Sequence, residues 1–295
     1  MLIGSWTAWG ATIQWTNAVG GDWNVAENWA PNQVPAGSDT AIITNAGVYT
    51  VVLNSGSATV DSLILGGNSG GQTLALEGGE FSCSGTALIN PGSQLNLAES
   101  WLHTFRTEVA GTVNWQSGIL DGTLVVTANG ILNLTGENDK FLRDGAAITN
   151  YGLIQWSGAG GVYGQDSNFT GEPPVIVNTA GGVFEIQNDT ALGSPGSFDP
   201  LLTMVFQNAG LVRKVAGPGT TTFINVNFGN SGTVEVDQGT LLFFSPNGLP
   251  PAWSSSGLFT VSAGAAVQLG AGNCTFLPGH LAQGEGSFGF NVMGS

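Results

Sequence analysis

Basic residues are the scarcest class in this chain of 295 residues. There are 5 Lys and Arg against 20 Asp and Glu, which gives a formal net charge of −15. Binding to nucleic acid needs clustered Lys and Arg to neutralise phosphates, so this composition excludes a nucleic-acid partner. An anionic membrane surface would also repel the chain. Neutral glycans, cations and basic surfaces are the partners that the charge still permits.

Long apolar runs, charged residues and cysteines are also few. No run of about 20 apolar residues occurs, so we predict no membrane span. Charged residues make up 8% of the chain and hydrophobic ones 42%, so a folded core is expected rather than disorder. The two cysteines, Cys83 and Cys274, are far apart in the sequence, and we expect both to be free, buried thiols.

Glycine is abundant, with 47 residues, and it punctuates a recurring phrase. The segments GTVNW (111–115), GLIQW (152–156) and GTVEV (232–236) share one pattern, while GSQLNL (92–97) and GILNL (130–134) share another. Within each phrase the apolar residues alternate with a period of two, which is typical of a strand with one buried face. The chain is therefore predicted to consist of short strands joined by Gly-rich turns.

The return of one strand-and-turn phrase favours a solenoid over a sandwich or a barrel. Strand pairs joined by a hairpin turn are not the dominant pattern. We predict an all-β, right-handed parallel β-helix (a β-solenoid) of about 12 coils, with roughly 20 residues in each coil. Four Gly- and Pro-rich stretches are predicted to be long loops, and they would wall a groove if they shared one side. They are residues 157–174, 188–200, 215–222 and 245–256.

The two ends of the chain differ from the middle. Residues 1–13 are interpreted as the remnant of an export signal or as a disordered start, 14–45 as an N-terminal cap, and 46–295 as the solenoid. Trp15, Trp23 and Trp29 fall within 15 residues and can cover the first coil. The repeat continues to the C-terminal end without an evident plug. End-to-end self-association, or a longer parent protein, is therefore expected there.

The N-terminal motif carries a resemblance to a known group. The phrase W-x4-G-G-D-W-x4-N-W (15–29), followed by V-P-x3-D-x-A-x-I (34–43), resembles the start of bacterial surface and autotransporter-like β-helical proteins. Segments 220–226 and 230–241 look like the repeats of that group. The resemblance implies a secreted or cell-surface location. Repeats of this kind occur in adhesins, in large surface proteins and in passengers attached to enzymes, so the resemblance leaves the function open.

The preferred interpretation is an extracellular structural or adhesive solenoid, without catalytic residues, that presents loops to a glycan, a cell-surface polymer or another copy. The alternatives are a lyase of an anionic glycan and a carbohydrate-binding module of a larger enzyme. A lyase would use His103, Arg106, Lys140 and Arg143, because stacked coils can bring these groups to one face, where they would neutralise a uronate and abstract a proton. No nucleophile, carboxylate-pair or zinc motif supports another chemistry.

A second set of residues is predicted to bind ligand near the long loops: Arg213, Lys214, Asp166, Glu172 and Trp253. Trp253 lies in a Pro-rich stretch and is expected to be exposed. Trp115 and Trp156 are expected to point inward, since each shares its strand face with an apolar neighbour. No resident cofactor and no metal site are predicted, although calcium bound in the acidic loops is left open.

Overall fold

The computed structural model describes residues 10–167, 172–194, 203–245, 252–270 and 272–290. These residues form an all-β, parallel β-solenoid of about 11 turns, which confirms the fold class and comes close to the predicted 12 coils. A 3-10 turn, Ala26–Asn28, interrupts the strands near the N-terminus. Within these ranges there is no helix long and apolar enough to cross a membrane.

The described strands are short and follow one another closely along the chain. The first half contains β1 (Thr12–Trp15), β2 (Gly21–Asp22), β3 (Trp29–Ala30), β4 (Thr40–Ile43), β5 (Val48–Leu53), β6 (Ser57–Val60), β7 (Ser62–Leu65), β8 (Gly71–Glu77), β9 (Glu80–Ile89), β10 (Gln94–Ala98), β11 (Ser100–Val109), β12 (Thr112–Trp115), β13 (Gly118–Val126), β14 (Ile131–Leu134), β15 (Lys140–Asn150) and β16 (Leu153–Trp156). The second half contains β17 (Val162–Gln165), β18 (Val175–Asn178), β19 (Val183–Ile186), β20 (Ala191–Gly193), β21 (Met204–Asn208), β22 (Leu211–Lys214), β23 (Thr220–Ile224), β24 (Val226–Asn230), β25 (Thr233–Val236), β26 (Thr240–Phe244), β27 (Ala252–Ser255), β28 (Leu258–Val261), β29 (Ala266–Leu269), β30 (Asn273–Phe276), β31 (Leu281–Gly284) and β32 (Ser287–Phe290).

These strands form two sheets that run along the solenoid. One sheet has 12 strands in the order β2-β5-β8-β10-β12-β14-β16-β19-β22-β25-β28-β31, so each strand pairs with the equivalent strand of the next coil. The other sheet has 20 strands and supplies the remaining faces. The ladders that join successive coils are parallel, as in β14 with β16 and β11 with β13.

Four long strands of the 20-stranded sheet bend around a corner, and this bend shapes the outer surface. In β11 and β13 the register shifts at the bend, beside Phe105 and Gly122. Gly122 has a φ of 108°, and a Cβ there would lie 1.7 Å from the carbonyl oxygen of Thr104. Only glycine fits such a close approach of two backbones. In later coils separate strands, such as β17 and β18, replace the bent strand.

The interior is a continuous apolar column built from alternate residues of each strand. Its C-terminal half is aromatic, with ring centroids 4.8 to 5.5 Å apart between Phe184 and Phe206, Phe206 and Phe223, Phe223 and Phe243, and Phe228 and Phe243. Each such side chain contributes about 1.5–3 kcal/mol by burial. Trp115 and Trp156 are fully buried, as predicted from the alternation.

A ladder of buried asparagines closes one corner of the middle coils. Asn150 donates to Asn178, Asn178 to Asn208, and Asn208 to Asn230, each with an Nδ2–Oδ1 distance of 2.8 Å. The first three amides also donate to a backbone carbonyl oxygen, and that of Asn150 reaches Val183 at 3.0 Å. Because buried polar groups need partners, the ladder fixes how successive coils stack.

The N-terminal coil is covered by tryptophan. Trp29 packs edge-on against Trp15 and Trp23, with centroid distances of 5.0 and 4.7 Å, and all three are buried. Trp23 also packs against Phe81 of the column, with 5.6 Å between ring centroids. This packing agrees with the predicted cap. Strand β1 already begins at Thr12 and pairs with β4, so the fold includes the end of segment 1–13, whereas residues 1–9 lie outside the described residues.

The structure places a strand in each of the four segments that were predicted to be long loops. Segment 157–174 contains β17, segment 188–200 contains β20, segment 215–222 contains the start of β23, and segment 245–256 contains β27. These strands have three to five residues beside Gly and Pro, which hid their alternation. Residues 168–171, 195–200 and 246–251 lie outside the described residues.

Candidate functional site

Apolar side chains form a line on the outside of the 20-stranded sheet. Trp101 is aligned with Ile119, Ile119 with Phe141, and Phe141 with Tyr163, on four successive coils. All four side chains are partly exposed, although such residues usually lie in the core. We call these four residues the aromatic stripe. Neighbouring coils are about 4.8 Å apart, so the stripe runs along the solenoid axis.

A row of polar side chains runs beside the aromatic stripe. His103, Asp121, Arg143 and Gln165 each follow a stripe residue by two positions, so they lie on the same outer face. The Nδ1 atom of His103 lies 2.8 Å from the Oδ2 atom of Asp121. The His103 side chain is 54% exposed, whereas that of Asp121 is 17% exposed. We call these four residues the polar row.

Arg143 connects the polar row to the aromatic stripe. Its Cζ atom lies 4.6 Å from the centroid of the Trp101 ring, two coils away. Its Nε atom donates to the Ser167 hydroxyl at 2.8 Å and lies 3.4 Å from the Oδ2 atom of Asp144. Asp144 in turn accepts the backbone N–H of Ser167 at 2.7 Å. The guanidinium is therefore held in place before any ligand arrives.

A shallow groove borders the stripe on the side where its strands begin. Glycines remove side chains from this corner, and three of them, Gly56, Gly78 and Gly118, have φ values of 76°, 86° and 98° that favour glycine. Two acidic residues, Glu80 and Glu99, belong to the lining of the groove. The full lining is Gly56, Gly78, Gly79, Glu80, Glu99, Ser100, Trp101, Gly118, Ile119 and Phe141.

The structure brings together only part of the predicted lyase set. His103 and Arg143 lie two coils apart on the polar row. Arg106 lies beyond the bend, where its Nε atom donates to Glu108 at 2.7 Å. Lys140 is fully buried, and its Nζ atom donates to the Asn138 carbonyl oxygen at 3.0 Å.

The interior position of Lys140 corrects the interpretation of it as a catalytic group at the surface. In β15 the buried positions alternate from Lys140 to Leu142, so Arg143 faces out and Lys140 faces in. Burial lowers the pKa of the Lys140 ammonium from 10.5 to about 8, although the carboxylate of Asp139 opposes that shift. The side chain cannot contact a ligand in the groove from this position.

The predicted ligand-binding basic residues serve the fold. Lys214 is fully buried, and its Nζ atom donates to the carbonyl oxygens of Asn188 and Ala216 and to the Asp189 carboxylate, at 2.7, 2.9 and 2.7 Å. All three of its N–H groups therefore have partners. The predicted role of Lys214 in binding ligand is wrong, since a side chain enclosed in this way cannot reach one.

Arg213 points outward on the 12-stranded sheet, where its Nη2 atom lies 2.5 Å from the Oε2 atom of Glu185. Burial acts to raise the pKa of Glu185, but hydrogen bonds from Gln187, Arg213 and Gln155 outweigh it and hold that pKa below its usual value. This ion pair lies on a different sheet from the aromatic stripe.

Trp253 is only 3% exposed, and its Nε1 atom donates to the Val226 carbonyl oxygen at 3.0 Å. Its predicted exposure is wrong because β27 turns the side chain into the column. Asp166 is buried just after the polar row, and Glu172 is exposed beside Gly145. Both lie beside the 20-stranded sheet, apart from Arg213 and Lys214, so the predicted ligand set is not assembled as one site.

The stripe was missed because Trp101, Phe141 and Tyr163 belong to no obvious repeat phrase. A signal was present in Ser-Trp-Leu-His-Thr (100–104), where inward Leu102 and Thr104 leave Trp101 and His103 on the outer face. Their alignment with Phe141 depends on the register between coils, which no local pattern shows. Over the part of the chain that the structure describes, no group of three or more His, Cys, Asp or Glu could hold a metal ion.

The fold and this surface define the chain as a parallel β-solenoid with an aromatic stripe and a flanking polar row. Comparison with protein-family models, with curated proteins and with solved structures gives no match. The resemblance to autotransporter-like surface proteins therefore stays a prediction.

Proposed function

We propose that this protein is an extracellular structural or adhesive solenoid that binds a glycan chain along its aromatic stripe. The observation that carries the proposal is the alignment of Trp101, Ile119, Phe141 and Tyr163 on four successive coils, all partly exposed. Contiguous exposed apolar surface rimmed by polar residues marks binding sites in soluble proteins. The secreted or cell-surface location belongs to the proposal and is supported by the N-terminal resemblance.

The chemistry of the surface suits sugar rings. The C–H faces of a pyranose pack against aromatic rings, while its hydroxyls need both donors and acceptors. The polar row supplies these groups at His103, Asp121, Arg143 and Gln165. Since strands of the solenoid hold all of them, little side-chain freedom is lost on binding, which favours affinity.

The lyase alternative receives less support from the geometry. Proton abstraction next to a uronate needs a base and a cation for the carboxylate in one place. Lys140 is enclosed in the core, and Arg106 pairs with Glu108 beyond the bend. The Arg143 guanidinium already lies against Asp144 and Trp101. A non-catalytic glycan-binding surface, alone or as a module of a larger enzyme, needs only the apolar contacts of the aromatic stripe and the hydrogen-bonding groups of the polar row.

Affinity electrophoresis in native gels that contain soluble polysaccharides tests the proposal. Trp101→Ala and Tyr163→Ala should each reduce retardation by a bound glycan at least fivefold, because each removes a stacking ring. Phe105→Ala is the matched control, since Phe105 is 72% exposed in the bend but lies outside the stripe. Equal retardation of wild type and Trp101→Ala would refute the assignment of the site.

End-to-end self-association is a second candidate, which rests on the last described coil. Phe276, Leu277, Leu281 and Phe290 are 43 to 65% exposed there. Exposed apolar side chains on neighbouring strands favour association with another copy. Sedimentation velocity of the chain should show concentration-dependent association that Phe290→Asp reduces. Sedimentation as a monomer at all concentrations would rule this candidate out.

A further inference from the structure

The charges around the groove are unequal. Glu80 and Glu99 line it beside Trp101, and neither forms an ion pair within the described ranges. Asp121 and Asp144 add two carboxylates on the other side of the stripe. The surface therefore presents four carboxylates around one aromatic line.

The one arginine beside the stripe, Arg143, does not balance these carboxylates. Arg143 is the guanidinium of this surface, and it lies 3.4 Å from Asp144 and over the Trp101 ring. His103 contacts Asp121 at 2.8 Å. Each of these groups is thus already engaged by a carboxylate on its own surface, and among the described residues no ion pair involves Glu80 or Glu99.

We infer that the ligand of the groove is an uncharged glycan and that the groove rejects uronate polymers. This inference rests on the proposed function and names its ligand class. Carboxylates accept hydrogen bonds from sugar hydroxyls, so the acidic groups favour a neutral sugar. A uronate carboxylate would instead meet like charges, which costs affinity and lowers the association rate.

The range of the effect also follows from elementary electrostatics. The Debye length is about 8 Å at physiological ionic strength, so charges in the groove act on a bound sugar directly. The net charge of −15 over the whole chain adds repulsion during approach. Rejection of an anionic polymer should therefore weaken as salt is added.

Hydroxyethyl cellulose and carboxymethyl cellulose provide a matched pair of probes, since they share a backbone and differ in charge. The panel also contains xylan, mannan, mixed-linkage β-glucan and polygalacturonate. Native affinity electrophoresis of the intact chain should show binding to at least one neutral polymer. Its apparent affinity should be at least tenfold above those for carboxymethyl cellulose and polygalacturonate. The double variant Glu80→Gln and Glu99→Gln should narrow that ratio at least threefold. The double variant Glu235→Gln and Glu285→Gln makes the same change in net charge elsewhere and should change the ratio much less than the Glu80 and Glu99 variant does.

The outcomes separate the two proposals. Preferential binding of carboxymethyl cellulose or polygalacturonate, lost in Trp101→Ala, would overturn the inference on charge and keep the stripe as a glycan site. An unchanged ratio in the Glu80 and Glu99 variant would also overturn it. Binding of no polymer on the panel would overturn both proposals. The expected result is binding of neutral polymers that depends on Trp101, with a preference over charged polymers that depends on Glu80 and Glu99.

Discussion

Arg143 and Trp101 meet across two coils of the solenoid, with 4.6 Å between the guanidinium carbon and the centroid of the indole ring. A cation over the face of a tryptophan contributes about 0.5–1 kcal/mol at an exposed site. The contact restrains the ring that begins the aromatic stripe. The hydrogen bond from Arg143 to Ser167 restrains the guanidinium in turn.

Replacement of Arg143 by Met should therefore weaken glycan binding two- to fivefold and change stability by no more than about 1 kcal/mol. Affinity electrophoresis and urea denaturation measure the two effects. Arg106→Met is the control, because Arg106 pairs with Glu108 away from the stripe and should leave binding unchanged. If both variants bound equally well, the contact with Trp101 would have no role in the site.

Lys140 predicts a pH dependence of stability. Its folded-state pKa of about 8 lies below the usual 10.5 because burial disfavours the charged form. Between these values the unfolded chain binds more protons, so stability should rise with pH through this window. Below about pH 8 the full cost of burying the charge is present, and it is on the order of 3 kcal/mol.

The Lys140→Met variant isolates this contribution. The free energy of unfolding should rise more steeply from pH 8 to pH 9.5 for wild type than for the variant. Burial raises the pKa of Cys83 to about 11, which gives a dependence of opposite sign, but that contribution is the same in both proteins. Parallel pH profiles for the two proteins would show that Lys140 does not titrate in this window.

We expect truncation of the buried asparagine ladder to lower the free energy of unfolding by a large amount. Asn178→Ala removes a donor to Asn208 and an acceptor for Asn150, so one N–H of the Asn150 amide loses its partner while the other still donates to Val183. The Leu211 carbonyl oxygen also loses the hydrogen bond that Asn178 donates. Each unsatisfied buried group costs about 1–3 kcal/mol, so the total should reach about 2–5 kcal/mol. Urea denaturation monitored by tryptophan fluorescence gives the value.

Asn114→Ala is the matched control on the outer face. Asn114 also forms a ladder, with Asn96 and Asn133 at 2.8 Å, but water can replace its partners there. We expect a loss below about 1 kcal/mol. A cost as large as that of Asn178→Ala would mean that ladder geometry matters more than burial.

Much of the fold could be predicted from local alternation. The pattern around Trp115 and Trp156 placed both side chains inside, because each strand phrase repeats its inward positions. The same rule would have placed Lys140 inside with Leu142, but the charge of lysine argued for the surface. The predicted exposure of Trp253 was wrong because the neighbouring prolines suggested a loop where a strand forms.

The candidate site was harder to predict because it is made between coils. Trp101 and Tyr163 are separated by 62 positions, and only the register of the intervening strands aligns them. That register depends on corner geometry, such as the glycine at 122 and the left-handed Asp144 with a φ of 49°. Composition and periodicity show neither feature.

The parallel stacking of coils fixes the spacing between successive side chains of the aromatic stripe. Its steps are set by backbone hydrogen bonds at about 4.8 Å and cannot stretch to suit a ligand. A polymer whose repeat is commensurate with that step keeps its rings in phase with the protein over the whole stripe. One with another repeat drifts out of phase after a few units, so selectivity among linkages grows with the number of coils engaged.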